Sequence, residues 1–433
     1  MKRIFTKKLQ DWKSSPHRKP LIVRGARQVG KSYTITQLGK DHFKGKTHVV
    51  DFEKHPEWHR VFEKNLDPKR IVSEFEVLLD ARISPGADLF FLDEIQACPR
   101  AITSLRYFYE ELPELHVIAA GSLLEFAMKD ISFPVGRISF FSLAPMNLFE
   151  FLLATGKSKL AEIIVHSPEK LPRAIHAQLL ENLRQYMFIG GMPACVKAWC
   201  DSMSMSDVFS IQSDLLTTYQ QDFAKYAPHT DKRSLDQVLH SVARNIGHPV
   251  KFTRLSDEFT GPTNKKATEL LSMARIIHKV RSTSPASLPL RVNASEKKFK
   301  LLMVDIGLMR ALNDLPPNIE YLKNDLLSMY QGALAEQFAG QELVSDGLDY
   351  LYYWSREEKN SSAEVDYLLT RDNEIVPLEI KGGAAGKLRS MHQILKEYPG
   401  IKKGYVLSTG EYGELPEQKL IFLPLYYAYG LSQ

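Results

Sequence analysis

The chain has 433 residues, 44% of them hydrophobic and 25% charged, which supplies material for about two to four domains and is too much for one ordinary core. Its formal net charge of +5 is slight at this length, so overall charge says little about nucleic acid. Three cysteines (Cys98, Cys195, Cys200), without CxxC spacing, and 13 histidines that do not cluster with them support neither a disulfide framework nor a zinc site.

The opening stretch "MKRIFTKKLQDWKSSPHRKP" is basic but has no apolar segment behind it, and no later run approaches about 18 uninterrupted apolar residues. The expectation is a cytoplasmic protein with no membrane partner. From Leu21 to about Leu152, short apolar runs ("LIV", "HVVDF", "DLFFLDEI", "HVIAAG") alternate with longer amphipathic stretches. That rhythm predicts an α/β domain with a parallel sheet over residues 1–155.

Within it, "LIVRGARQVGKS" places Gly25, Gly30, Lys31 and Ser32 in the G-x-x-x-x-G-K-[ST] pattern, behind a strand and ahead of a helix. Such a loop, here Gly25, Ala26, Arg27, Gln28, Val29 and Gly30 running into Lys31, Ser32 and Tyr33, wraps phosphates with backbone N–H groups. Lys31 reaches the β and γ oxygens and the Ser32 hydroxyl can ligate Mg²⁺. "DLFFLDEIQ" then delivers Asp93 and Glu94 at the tip of a buried strand, Asp93 as the Mg²⁺ partner and Glu94 to orient or activate the attacking water. Ser122, after "HVIAAG", is either a γ-phosphate probe or a plain turn serine. Arg137, in "FPVGRISFF", either stabilises phosphate charge or pairs with a carboxylate.

Residues 156–230 predict a helical segment broken by "GGMPACV". Residues 231–315 predict helices followed by a hairpin in "IIHKVRSTSPASLPLRV", a winged-helix pattern, and residues 316–433 a further α/β domain beyond a boundary at "DLPPN". Residues 231–310 hold fifteen Lys or Arg against seven Asp or Glu, a balance of +8. Within "TRLSDEFTGPTNKKATELLSMARIIHKV", read as helix, turn, helix, Lys265 and Lys266 open the second helix. There they either grip the phosphates of DNA or RNA or form a solvated basic face.

In "EVDYLLTRDNEIVPLEIKGG", counting by twos puts Val376, Leu378 and Ile380 on one strand face and Glu379 and Lys381 on the other. Asp366 sits on the preceding run, with "TRDNE" as the turn. Three ionisable groups then converge, or the hairpin merely has one wet face. Glu364 either shares the face of Asp366 or is an exposed edge charge. Two carboxylates about 4 Å apart repel by roughly 4 kcal/mol at an effective dielectric near 20, which Mg²⁺ or Mn²⁺ on Asp366 and Glu379 would offset.

Taken in order, "GARQVGKS", "FFLDEIQ", "AAGSLLEF", "VGRISFFSLAPMNLFEFL", "GGMP", "VDIGLMRAL" and "GALAEQF…YYWSREE…EVDYLL…PLEIKGG" resemble the AAA-type ATPases of bacteria and archaea that carry a C-terminal domain of unknown function with a restriction-endonuclease-like fold. The resemblance implies adenine specificity, hence ATP, a lid after the ATPase core and a winged-helix connector. It also implies the E…D…ExK arrangement of PD-(D/E)xK nucleases on Glu336, Asp366, Glu379 and Lys381, and admits a homo-oligomer. The expected function is an ATPase whose nucleotide state controls a metal-dependent, nucleic-acid-directed C-terminal domain. The alternative is an ATP-switched binding module for DNA or protein with that domain silent.

Overall fold

The structure, a computed structural model, describes residues 2–127, 136–226, 230–313, 332–345, 347–356, 363–383 and 386–431. The boundary expected at 314–318 lies outside them. Two compact units divide the chain, Met1–Ala144 and Pro145–Gln433.

In the first unit, α1 (Phe5–Ser14) precedes β1 (Leu21–Arg24), α2 (Lys31–His42), β2 (Thr47–Asp51), α3 (Pro68–Leu78), β3 (Leu89–Asp93), α4 (Pro99–Glu111), β4 (His116–Gly121), α5 (Leu124–Ala127) and β5 (Ser139–Ser142). The strands run β2-β3-β4-β1-β5, and every neighbouring pair is parallel. Each apolar run of the sequence became a strand. All residues of β3 and β4 are buried, as a parallel sheet covered on both faces requires. Phe52, Phe62, Phe75, Phe90 and Phe108 fill one side of that core. Helix α3 starts where the Asp67 side chain accepts from Lys69 N, with Pro68 in the first turn. Because β4 separates β1 from β3, the ends of β1, β4 and β3 stand in a row, where such sheets bind ligands.

The second unit begins with α6 (Leu148–Ala154), opened by a reciprocal Asn147–Glu150 cap. Helices α7 (Ser158–Val165), α8 (Arg173–Ile189), α9 (Pro193–Ser202), α10 (Met205–Tyr226), α11 (Lys232–Arg244) and α12 (Gly261–Met273) follow, then β6 (Ile277–Ser282), β7 (Phe299–Met303), α13 (Ile306–Leu312) and α14 (Ala333–Ser345). Strands β8 (Leu351–Ser355), β9 (Glu364–Arg371) and β10 (Glu374–Ile380), helix α15 (Arg389–Glu397), and β11 (Gly404–Ser408), β12 (Gly413–Leu415) and β13 (Leu420–Pro424) complete it. One sheet runs β12-β13-β11-β10-β9-β8-β6-β7.

Helix α6 lies in the second compact unit. Two expectations change here. The segment read as the wing's second strand is a 3₁₀ turn, Leu290–Asn293, and the strand that pairs with β6 is β7. Because β6 also pairs in parallel with β8, residues 277–303 share one sheet with the C-terminal strands and form no separate wing. Likewise the first helix expected before Lys265 is a single 3₁₀ turn, Phe252–Arg254; the helix that packs on α12 is α11. Among the described residues no helix is long and apolar enough to cross a membrane.

Candidate nucleotide site and carboxylate cluster

The phosphate loop leaves β1 at Gly25 and enters α2 at Lys31. Ala26 and Val29 are buried and brace the loop, while Gln28 (φ 64°) and Gly30 (φ 92°) take left-handed backbone. A Cβ on Gly25 would lie 2.2 Å from Leu143 O, so a larger residue there would push the loop out of shape. Arg3, unassigned in the sequence, donates to Val29 O at 2.9 Å and to Ala144 O at 2.7 Å, tying the loop to the chain beyond β5.

Lys31 is buried and donates Nζ to Gly25 O (3.0 Å) and Ala26 O (2.9 Å). Burial lowers its pKa to about 8, against the opposing pull of Glu94, Asp93 and Glu125. Asp93, at the tip of β3, is buried and accepts from the Ser32 hydroxyl; burial raises its pKa to about 6. The two oxygen groups expected to hold Mg²⁺ are thus brought together, and their hard oxygen chemistry fits that ion. Glu94 (φ 47°) turns back on the chain and accepts from Gln96 Nε2. Gln96 has no role in the sequence reading; its Oε1 is buried without a hydrogen-bond partner. Ser122 is buried just past the end of β4, the strand between β1, which leads into the phosphate loop, and β3, which bears Asp93; Tyr33 is exposed on the first turn of α2. Arg137 takes the second of its two expected roles, donating Nε to Glu110 Oε1 at 2.8 Å.

In the second unit, Asp372 (φ 51°) and Asn373 (φ 60°) form the expected turn between β9 and β10. The register ends at the pair Leu378 and Tyr367, next to which Asp366 accepts from Ile380 N and acts on Glu379. The acids therefore converge, but the hairpin is central in the sheet and Glu379 is buried, so the wet face does not exist. Nor is Glu364 an exposed edge charge.

What joins these acids was not foreseen. Lys300, on fully buried β7, sets its Nζ 2.9 Å from Glu336 Oε1, 2.6 Å from Glu364 Oε1 and 3.7 Å from Asp366 Oδ1, with its side chain 1% exposed. Lys381 Nζ lies 2.7 Å from Glu379 Oε1, and Ile380 N donates to Asp366 Oδ2 at 2.6 Å. Burial raises Glu336 to about 8 and Glu379 to about 7, each pushed further by Asp366, while Lys300 is held charged by Glu336, Asp366 and Glu364 despite its own burial. Among the described residues no group of three or more His, Cys, Asp or Glu side chains has the geometry to hold a metal ion. The expected Mg²⁺ or Mn²⁺ on Asp366 and Glu379 therefore does not fit the cluster as it stands, because ammonium groups balance its acids.

Lys265 and Lys266 are exposed on α12, Lys265 Nζ lying 3.9 Å from Glu269 Oε1. Of the fifteen basic residues of that segment, Lys300 and Arg310 are internal, so its surface is less basic than its count.

Comparison with known proteins gives the first unit a family likeness and leaves the second undefined. Residues 17–152 match a family model described as AAA domain, residues 180–318 one described as domain of unknown function (DUF8612), and residues 331–427 one described as domain of unknown function (DUF4143). Among curated proteins nothing matches. Similar solved structures include a RuvB variant of Thermotoga maritima (15% identity over 63% of this chain and 87% of that one, TM-score 0.27). AMPPCP-bound DnaA from Aquifex aeolicus (14%, 62% and 86%, 0.26) and protein VC1899 from Vibrio cholerae (12%, 95% and 96%, 0.18) are others. Superpositions this loose carry no argument. The family match and the phosphate-loop geometry together make residues 17–152 an AAA-type, ATP-binding P-loop ATPase domain.

Proposed function

We propose that the protein hydrolyses ATP in its first unit and uses nucleotide state to control a nucleic-acid-directed second unit. The observation that carries the first half is the meeting of Ser32 and Asp93 beside Lys31, at the ends of β1 and β3 on either side of β4. Bound Mg²⁺ would supply charge neutralisation on the phosphates. Lys31, freed from its own loop carbonyls, would hold the phosphate oxygens, and Glu94, released by Gln96, would orient the attacking water. Lys31→Ala should abolish ATP binding, whereas Glu94→Gln should bind ATP and turn it over at least about 100-fold more slowly. Turnover by Glu94→Gln at the parent rate would refute the role given to Glu94.

For the second unit, Lys300 favours binding without cutting over metal-dependent nuclease chemistry, because the acids that would hold the metal already hold an ammonium. Lys265 and Lys266 support nucleic acid as the ligand. Log affinity for duplex DNA should fall steeply with log salt, and each of Lys265→Ala and Lys266→Ala should make that slope shallower by about one. Affinity indifferent to salt, or cleavage of DNA or RNA with Mg²⁺ or Mn²⁺ that Asp366→Ala abolishes, would overturn this reading.

A further inference from the structure

Three acids of the second unit point at one atom. Glu336 comes from α14, Glu364 and Asp366 from β9, and all three place a carboxylate oxygen within 3.7 Å of Lys300 Nζ. We propose that the Lys300 ammonium is the resident cation of this cluster and closes a latent divalent-metal site formed by Glu336, Glu364 and Asp366.

A lysine on a strand buried along its whole length cannot reach water, so it needs carboxylates; buried carboxylates need a cation. Each demand is met by the other. The ammonium lies 5.1 Å from the centroid of the Tyr353 ring, itself buried, which closes another side of the pocket. Of the remaining charged groups nearby, Glu379 is balanced by Lys381, and His248 acts on Glu364 from a distance. One Glu379 oxygen is buried without a hydrogen-bond partner. Removing the ammonium but keeping the aliphatic stem would leave three carboxylates around one point, a donor set that hard divalent ions accept. With the ammonium in place such an ion would have to share that point with a positive charge. This inference rests on the second unit's reading as a binding module and is independent of ATP hydrolysis.

The test uses the full chain in a Lys31→Ala background, freed of nucleotide and stripped with chelator, so that the phosphate loop carries no metal. Mn²⁺ is titrated, with bound ion read by electron paramagnetic resonance and stability by thermal melting. The parent should bind no Mn²⁺ at this cluster and show no melting shift. Lys300→Met should bind one Mn²⁺ at least about tenfold more tightly than the parent and melt higher with the ion than without it. If Lys300→Met does not fold, the double variant Lys300→Met with Glu364→Gln, one acid fewer, is titrated in its place. A parent that binds Mn²⁺ and loses it in Asp366→Asn overturns the proposal whichever variant folds. So does a folded variant that takes up none. ATP turnover of Lys300→Met with Lys31 restored reports on the first unit separately.

Discussion

Glu342 shows how much a single buried acid can weigh on this protein. It is fully buried on α14, with Oε1 accepting from Leu148 N at 3.0 Å and Oε2 lacking a partner. Burial pushes its pKa up to about 8. Below the unfolded value of about 4.3 the group is protonated in both states, and between there and 8 only the folded chain keeps the proton. Its contribution to stability is thus full at acid pH and lost as pH rises through that window, by on the order of 1 kcal/mol per pH unit. Unfolding of the second unit followed from pH 5 to pH 8 should show stability falling as pH rises, with a slope smaller by about one proton in Glu342→Gln. Parallel slopes would refute this. Asp305 is a second such residue, buried and raised to about 6, whose carboxylate accepts from Gly191 N (2.6 Å) and Leu308 N (3.1 Å). Gly190 has φ 74°, and a Cβ there would come 2.2 Å from Asp305 Oδ1. The "GGMP" and "VDIGLMRAL" motifs therefore meet as a packing joint, with no chemistry assigned to them. At this scale the sequence singled out Lys31, Ser32, Asp93 and Glu94 because their pattern is local. It concealed Lys300, since a lysine in a strand is ordinarily read as facing solvent; the signal was a lysine inside "FKLLM", apolar on both sides.

Among the elements, turns and parallel strands were legible and buried helices were not. The β9–β10 turn followed from residue chemistry alone, because Asp and Asn tolerate the left-handed backbone that Asp372 and Asn373 adopt. Asn373→Gly should therefore stabilise the chain by a few tenths to about 1 kcal/mol, whereas Asn373→Val, whose branched side chain resists φ of 60°, should destabilise it by more than that. Denaturant midpoints check the sign of each, and stabilisation by Val would refute the turn assignment. Helix α14 taught the opposite lesson. Leu334 and Phe338 stand four apart, the spacing of a single apolar helix face, yet every residue from Leu334 to Leu343 is buried, Glu336 and Glu342 included. Polar residues on that helix look inward to partners that lie far away in sequence, such as Gln337 Oε1 accepting from Met303 N at 2.9 Å, so helical periodicity alone could not place them.

At the scale of the whole molecule, the first unit was readable because each of its first four strands is followed in sequence by a helix. The second was not, because its sheet is assembled from distant segments. Val280 pairs with Leu351 in parallel, joining segments that sequence reading had assigned to two domains. That pairing has a consequence for the order in which the chain can take shape during synthesis. A nascent polypeptide that has emerged only as far as Asn313 contains both β6 and β7, which can pair, but the other flank of β6 has no strand to meet. Its row of backbone amides and carbonyls stays open until Leu351 leaves the ribosome.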